Sequence, residues 1–311
     1  FVELRDGWEF VRFELALYRS LDGLEDADLP ACHEEDGVSC ATGPTAPSPE
    51  LSAPPFYTKQ VTARGIPILS SARVPDEALF AARDMARGMF AHRPELAEWM
   101  AANDYRVAIM AVDEALLDLP ENADWTKPAF DDPRLTRCER KLYDTRIGRL
   151  SDREYWDNRA RAIGGERTVG SEEDVLGLPV SRYFGETIYV HEMAHNVLFA
   201  IHAVDPALYA RVQAAYDNAL ATDLWLNEYT TTTIQEYWAE GTQFWFDSNR
   251  LQAFDGRRIL NHQDLAAYDP QLYTTLAEAY GDNHRLESDP FWQHPVRVPP
   301  GPPPENTAEE C

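Results

Sequence analysis

The first half of the chain switches between strand-like and helix-like spacing of its apolar residues. Residues 59–71, KQVTARGIPILSS, have the composition and alternation that predict a strand. Residues 75–103 place apolar side chains at helical spacing, with a break expected at Pro94 because proline cannot continue a helix. RVAIMAV, residues 106–112, is a short apolar run typical of another strand. This half therefore predicts strand, helix, strand.

Helical spacing dominates the second half. A loop-rich stretch from about residue 114 to residue 185 precedes an apolar helix that is predicted over residues 186–204. Residues 206–220 predict a second helix, and a third begins near Thr233, because a threonine three residues before Glu236 matches a capping box. Together the patterns predict an α+β fold, with a small mixed N-terminal sheet with helices and a mainly helical C-terminal half.

Proline-rich segments suggest the domain boundaries. Residues 41–55, ATGPTAPSPELSAPP, predict an extended surface segment, and the C-terminal residues are also proline-rich. We therefore divide the chain into an N-terminal extension (residues 1–58), a central domain (residues 59–294) and an extended tail (residues 295–311).

The charge balance excludes some classes of partner. The 311 residues include 28 Lys and Arg against 53 Asp and Glu, which gives a net charge of −25. Such a surface repels nucleic acid and anionic membranes, so we expect neither as a partner. No apolar run approaches eighteen residues, so we also expect no insertion into a membrane. The sequence leaves the oligomeric state open.

Four cysteines favour an exported protein. Cys32 and Cys40 flank a short polar loop, and Cys311 ends the proline-rich tail. Four cysteines allow three pairings, of which we predict Cys32–Cys40 and Cys138–Cys311, the second tethering the tail. Because disulfides persist in oxidising compartments, this predicts a secreted, extracellular or periplasmic protein. The alternative is four free thiols in a cytosolic protein.

The segment VHEMAH, residues 190–195, contains the strongest chemical signal. His191 and His195 are four residues apart, so on a helix both imidazoles face one point. Glu192 lies beside that point without having to bind there. This HExxH pattern is typical of a catalytic zinc site in which the glutamate takes a proton from water.

The alternative to a zinc site is an amphipathic helix with two partly exposed histidines, and the composition of the helix argues against it. Most residues around the motif are apolar, so the histidines would be buried and would need partners, and a metal ion supplies one. His202, seven residues beyond His195, would point away from a tetrahedral site, and we interpret it as structural.

A third protein ligand is expected from the segment QEYWAE. Catalytic zinc sites generally use three protein ligands. Glu236 and Glu240 are four residues apart, so both face one way on the third helix. From spacing alone, one binds zinc and the other orients a ligating histidine. The alternative is a solvated acidic face, which the apolar composition of this helix disfavours.

HEMAH followed by EYWAE resembles the gluzincin metallopeptidases, in particular the catalytic domain of anthrax lethal factor and its relatives. The resemblance covers roughly residues 185–250 and implies that Glu236 is the third zinc ligand, which leaves Glu240 in the supporting role. It also implies that Tyr229, seven residues before Glu236, stabilises the oxyanion. Segments across residues 60–250 resemble secreted zincin-like proteins, which implies a zincin-like catalytic domain with its active-site cleft between the N-terminal and helical parts.

These observations predict a secreted zinc metallopeptidase with one catalytic zinc ion, acting on a peptide or protein. Zincins bind peptides along an edge strand; residues 106–112 are either that strand or a buried central one. One alternative is a zinc hydrolase of a glycan or small-molecule amide or ester, whose sugar rings would stack on an aromatic group comprising Trp225, Tyr229, Tyr237 and Trp238. Another is an inactive zincin-fold binding protein.

Overall fold

The structure, a computed structural model, describes residues 43–133, 135, 137–254 and 256–302. These residues all belong to the second of two compact units, which spans residues 43–311. Most of the predicted extension lies outside the described residues, as do Cys32, Cys40 and Cys311. The predicted domain boundaries therefore stay predictions.

The predicted α+β fold is confirmed. Strands β1 to β4 form a four-stranded sheet in chain order, and β5 and β6 form a separate hairpin. Strand β1 is antiparallel to β2, whereas β2, β3 and β4 run parallel to one another. The strands are β1 (Lys59–Ala63), β2 (Ile66–Ser70), β3 (Arg106–Met110), β4 (Arg167–Ser171), β5 (Gln252–Phe254) and β6 (Arg257–Ile259).

Helices occupy much of the rest of the described chain. They are α1 (Asp76–Met89), α2 (Pro94–Ala102), α3 (Arg137–Lys141), α4 (Asp152–Arg159), α5 (Glu172–Val175), α6 (Ile188–Val204), α7 (Pro206–Ala221), α8 (Ile234–Trp245), α9 (His262–Tyr268) and α10 (Pro270–Tyr280). Short single turns lie at Pro49–Leu51, Leu116–Asp118, Pro120–Asn122, Asp144–Gly148, Tyr229–Thr231 and Pro295–Arg297. The break predicted at Pro94 and the three predicted C-terminal helices are confirmed.

The single strand predicted over residues 59–71 is wrong. These residues form the β1–β2 hairpin, because Arg64 and Gly65 adopt positive φ angles of 47° and 86° and reverse the chain. Glycine takes such an angle without a steric penalty, but arginine rarely does.

Residues 106–112 were predicted to form either an edge strand that binds peptides or a buried central strand. The second alternative is correct, since β2 pairs with one side of β3 and β4 with the other. Strand β4 was not predicted and lies within the stretch read as loop-rich. An antiparallel bridge joins Val169 of β4 to Ile163, so the segment that precedes β4 in the chain extends the sheet at its β4 edge.

Helix α6 lies in the middle of the hydrophobic core. It packs mainly against α8 and α2, with further contacts to α7 and β4. Most of its side chains are buried, including Tyr189, Val190, Met193, Ala194 and Val197. Three members of the predicted aromatic group, Trp225, Tyr237 and Trp238, are fully buried in this core, so they cannot stack on a ligand.

Polar side chains cap the first turns of the two central helices. The carboxylate of Asp174 accepts hydrogen bonds from the backbone nitrogens of Ile188 (3.2 Å) and Tyr189 (2.9 Å) at the start of α6. Thr233 caps α8 as predicted, its hydroxyl accepting from the Glu236 backbone nitrogen at 3.1 Å. Each cap satisfies backbone N–H groups that the first turn of a helix leaves without a partner.

The start of the proline-rich tail is docked through a side chain. Arg297 is buried and donates to the backbone oxygens of Asn249 (2.6 Å) and Leu260. Cys138 is disulfide-bonded. Its partner lies outside the described residues, so the pairing stays a prediction. In the described part of the chain, no helix has the length and apolar character needed to cross a membrane.

Candidate metal centre

Helix α6 presents the predicted motif on one face. The side chains of His191, Glu192 and His195 are 5%, 14% and 11% exposed, so all three are largely withdrawn from water. The two imidazole rings lie 4.9 Å apart between centroids, and the spacing of four residues on a regular helix explains this.

Glu236 meets these histidines from the first turn of α8. Its Oε2 atom lies 2.9 Å from Nε2 of His191 and 3.7 Å from Nε2 of His195. Among the described residues, these three form a cluster whose potential ligand atoms all lie within 4.8 Å of one another. A group of two histidines and a glutamate is therefore present, as predicted.

Gln243, which the sequence analysis missed, orients His191. Its Oε1 atom lies 3.0 Å from Nδ1 of His191, and its Nε2 donates to the backbone oxygen of Thr187 at 3.2 Å. That second bond assigns the amide oxygen to the side facing the imidazole, so Nδ1 carries the proton. Nε2 then faces Glu236, and it is the nitrogen that is left to bind a metal ion.

Glu240, the residue predicted to support a ligand, lies farther from His191. Its Oε1 atom is 3.7 Å from Nδ1, while its Oε2 accepts hydrogen bonds from Asn249 (2.8 Å) and Gln252 (2.7 Å). Glu240 therefore contributes charge behind the histidine, and Gln243 makes the hydrogen bond. The supporting role of Glu240 stays a prediction.

The site carries a surplus of negative charge. Burial raises the pKa of Glu192 to about 7, with Glu236 adding to the effect and His191 opposing it. Burial also raises the pKa of Glu186 to about 7, although the Arg250 guanidinium lies 3.0 Å away, and it raises the pKa of Glu240. Buried carboxyl groups held so close together favour a bound cation.

The two histidines have different electrostatic surroundings. Burial lowers the pKa of His191, but the hydrogen bond and charge of Glu236 raise it by more. Burial and the neighbouring His191 lower the pKa of His195 to about 4, so its ring is neutral. Nδ1 of His195 is buried and has no hydrogen-bond partner among the described residues. Two imidazoles beside a carboxylate form a donor set that fits zinc.

Gly164 brings a second segment against the motif. Its backbone nitrogen hydrogen-bonds the Glu192 carboxylate. A Cβ atom at this position would lie 3.0 Å from both the Glu192 backbone oxygen and the His195 ring, and 3.1 Å from Glu192 Oε2. The absence of a side chain at Gly164 therefore allows this segment to approach α6 closely. The adjacent Gly165 nitrogen donates to Asn196 at 2.9 Å, which fixes the segment.

Tyr229 lies at the entrance of the same cleft. It is 45% exposed, and its hydroxyl hydrogen-bonds the carboxylate of Glu236. Burial of the hydroxyl and the charge of Glu236 raise the pKa of Tyr229, so the phenol keeps its proton at neutral pH. The structure thus brings Tyr229 to the cluster of His191, His195 and Glu236, and its catalytic role stays a prediction.

A cavity of about 540 Å³ opens onto the cluster. Besides the residues above, its lining includes a group of mainly aromatic and apolar side chains, namely Trp125, Pro128, Leu135, Tyr155, Trp156 and Ile163. All six belong to the stretch that the sequence analysis read as loop-rich. Their contribution was missed because residues far from the motif in sequence complete the cavity.

Comparisons with known proteins give little further guidance. No protein-family model and no curated protein matches this chain. Among solved structures, a Pro-Pro endopeptidase from Paenibacillus alvei is similar, with a TM-score of 0.39 and 13% sequence identity over 64% of this chain and 90% of that one. A likeness this distant establishes neither a shared family nor a shared activity. The resemblance to gluzincins stays a prediction.

Proposed function

We propose that this protein is a secreted zinc metallopeptidase of the gluzincin type. The proposal depends on one observation: His191, His195 and Glu236 converge within 4.8 Å, with the Glu192 carboxylate beside them at the floor of an open cleft. When bound, zinc supplies a Lewis acid for the scissile carbonyl and makes water acidic enough to lose a proton near neutral pH.

The protein's own groups have distinct roles in this proposal. Glu192 takes the proton of the attacking water and later delivers it to the leaving amine, and its raised pKa suits both steps. Tyr229 turns its hydroxyl from Glu236 to the developing oxyanion. Gln243 keeps His191 in the tautomer whose Nε2 binds metal.

Peptides are the favoured substrates because the cleft is open and has a large apolar lining that accommodates side chains. The second candidate is hydrolysis of a glycan or small-molecule amide or ester. It draws on the partly exposed rings of Trp125 and Trp156 in the cavity, which replace the buried members of the predicted aromatic group. Export from the cytosol is supported by the disulfide at Cys138.

The decisive experiment compares the protein with its Glu192→Gln variant. We expect purified protein to bind one zinc ion and to cleave members of a random peptide library. Glu192→Gln should retain zinc and lose roughly 10²–10⁴-fold in kcat, the contribution of a positioned general base.

The matched control is Glu278→Gln, which makes the same chemical change on helix α10. There Glu278 forms an exposed ion pair with Arg211 of helix α7. The control variant should leave turnover unchanged. Zinc bound by the wild-type protein without cleavage of any peptide would contradict a peptidase, and cleavage of a glycan amide instead would select the second candidate.

A further inference from the structure

The cleft contains one cationic side chain whose role the zinc chemistry does not explain. Of the described residues that line the cavity, Arg159 alone is an arginine or lysine, whereas five are glutamates: Glu139, Glu186, Glu192, Glu236 and Glu240. It is the last residue of α4, which also supplies Tyr155 and Trp156 to the lining. A lone cationic side chain in an acidic cleft of a protein with net charge −25 would attract an anionic group of a ligand.

Arg159 is only partly engaged by the protein. Its Nε atom lies 3.2 Å from Oε1 of Glu139, and its side chain is 44% exposed. Among the described residues, no other carboxylate lies within ion-pair distance and no acceptor hydrogen-bonds the guanidinium. The two terminal nitrogens thus remain open to a ligand in the cavity, and they form the planar fork that matches a carboxylate.

The guanidinium also lies within electrostatic reach of the reacting groups. Arg159, Glu192 and Tyr229 all line the same cavity. An anionic substrate group held by Arg159 would therefore sit close to the scissile bond rather than at a remote rim. In addition, the guanidinium would offset the repulsion that the five glutamates exert on an anion entering the cleft.

We propose that Arg159 binds a carboxylate of the substrate, so that the enzyme prefers peptides with an acidic group near the cleaved bond. This inference rests on the proposed peptidase function and deepens it. The carboxylate comes either from an aspartate or glutamate side chain or from the C-terminus of the peptide. The first source describes an endopeptidase with acidic specificity and the second an enzyme that trims chain ends.

Paired peptides distinguish the two sources. The first series replaces glutamate by glutamine at each position around a cleaved bond, and the second replaces a free C-terminus by an amide. The wild-type protein should favour the charged member of one series by about tenfold or more in kcat/KM, the usual worth of a charge-assisted hydrogen bond. Arg159→Gln should abolish that preference, so that the charged and neutral members of each pair are cleaved with similar kcat/KM.

The matched control is Arg153→Gln, which changes an arginine on the same helix whose partners are Asp118 and Asp157 outside the cleft. It should retain the full preference. Equal losses for charged and neutral peptides in Arg159→Gln would overturn the proposal, since they indicate that Arg159 serves only to hold Glu139 and the cleft wall in place.

A binding measurement separates this inference from the proposed function. Fluorescence anisotropy of the same peptides on Glu192→Gln protein reports recognition without turnover. Tighter binding of the charged peptides that disappears in the double variant Glu192→Gln/Arg159→Gln supports the carboxylate site. This holds even if the wild-type protein cleaves no peptide, because that result would contradict only the proposed peptidase function. Equal binding of charged and neutral peptides overturns the carboxylate site even if cleavage is observed.

Discussion

The hydrogen bond between His191 and Gln243 decides which imidazole nitrogen faces Glu236. Gln243 is buried, and its amide spans 3.0 Å to Nδ1 of His191 on one side and 3.2 Å to the Thr187 backbone oxygen on the other. No sequence pattern pointed to it, because a glutamine seven residues beyond Glu236 has no conventional spacing. Only the packing of α8 against α6 brings it to the histidine.

We therefore expect Gln243→Leu to weaken zinc binding about 10–100-fold, as loss of a partner to a ligating histidine does. Gln243→Glu, which keeps an acceptor for Nδ1, should bind zinc more tightly than the leucine variant. Competition with a chromophoric chelator measures both affinities, and circular dichroism checks that each variant is folded. Wild-type affinity in the leucine variant would show that His191 does not need this partner.

At the scale of elements, α6 owes its position to a cap supplied by another segment. Asp174 on α5 is fully buried and accepts from two backbone nitrogens of the first turn of α6. Burial raises the pKa of its carboxyl well above the usual range, so the charge contributes less than the acceptor oxygens do. The cap fixes the helix that carries both histidines.

Asp174→Ala should consequently destabilise the protein by about 2 kcal/mol or more, since it leaves buried N–H groups without partners. Asp174→Asn retains one acceptor oxygen and should cost less than half as much. Urea unfolding monitored by tryptophan fluorescence gives both values. If the alanine and asparagine variants unfold at the same urea concentration, the hydrogen bonds to α6 are not what Asp174 contributes.

The elements that the sequence predicted well are those whose signals are local. Helix α8 begins at Ile234, directly after its cap Thr233 and near the expected position, because the cap and the first turn lie within four residues. Strand β4 escaped notice because its partner, β3, is about 60 residues earlier, with Arg106 facing Arg167. The β1–β2 turn was missed because its first positive φ angle falls on Arg64, a residue type that does not signal a turn.

At the scale of the molecule, the candidate site combines a local motif with distant residues. The spacing of His191 and His195 is a property of any helix, so the sequence predicted it from geometry. Glu236 followed from a family resemblance, since spacing alone did not distinguish it from Glu240. Arg159 and the aromatic lining of the cleft could not be predicted, because their positions depend on how the region before β4 folds over α6.

One further long-range contact joins the start of α6 to the C-terminal segment. Asp289 is 102 residues from Thr187, whose hydroxyl donates to its Oδ1 at 2.6 Å, and the Phe291 backbone nitrogen donates to the same oxygen at 2.9 Å. Its Oδ2 atom is buried without a partner among the described residues. Burial raises the pKa of Asp289 to about 6; Asp247 adds to this effect, and Arg297 opposes it.

This raised pKa predicts how stability depends on pH. The folded protein binds the Asp289 proton more tightly than the unfolded chain, whose aspartate pKa is about 3.9. The contribution of this group to stability is therefore full below about pH 4 and falls as pH rises to about 6, by roughly 3 kcal/mol in total. Asp289→Asn cannot ionise, but it keeps the Oδ1 acceptor for Thr187 and Phe291.

The difference in unfolding free energy between the wild-type protein and Asp289→Asn isolates this group, because the other titrating residues contribute equally to both. We expect that difference to shift in favour of the asparagine variant between pH 4 and pH 7, with most of the shift complete by about pH 6. Urea unfolding at half-unit steps of pH measures it. A difference that stays constant across the range would mean that Asp289 is already ionised at pH 4 in the folded protein, and that Arg297 and the two hydrogen bonds outweigh its burial.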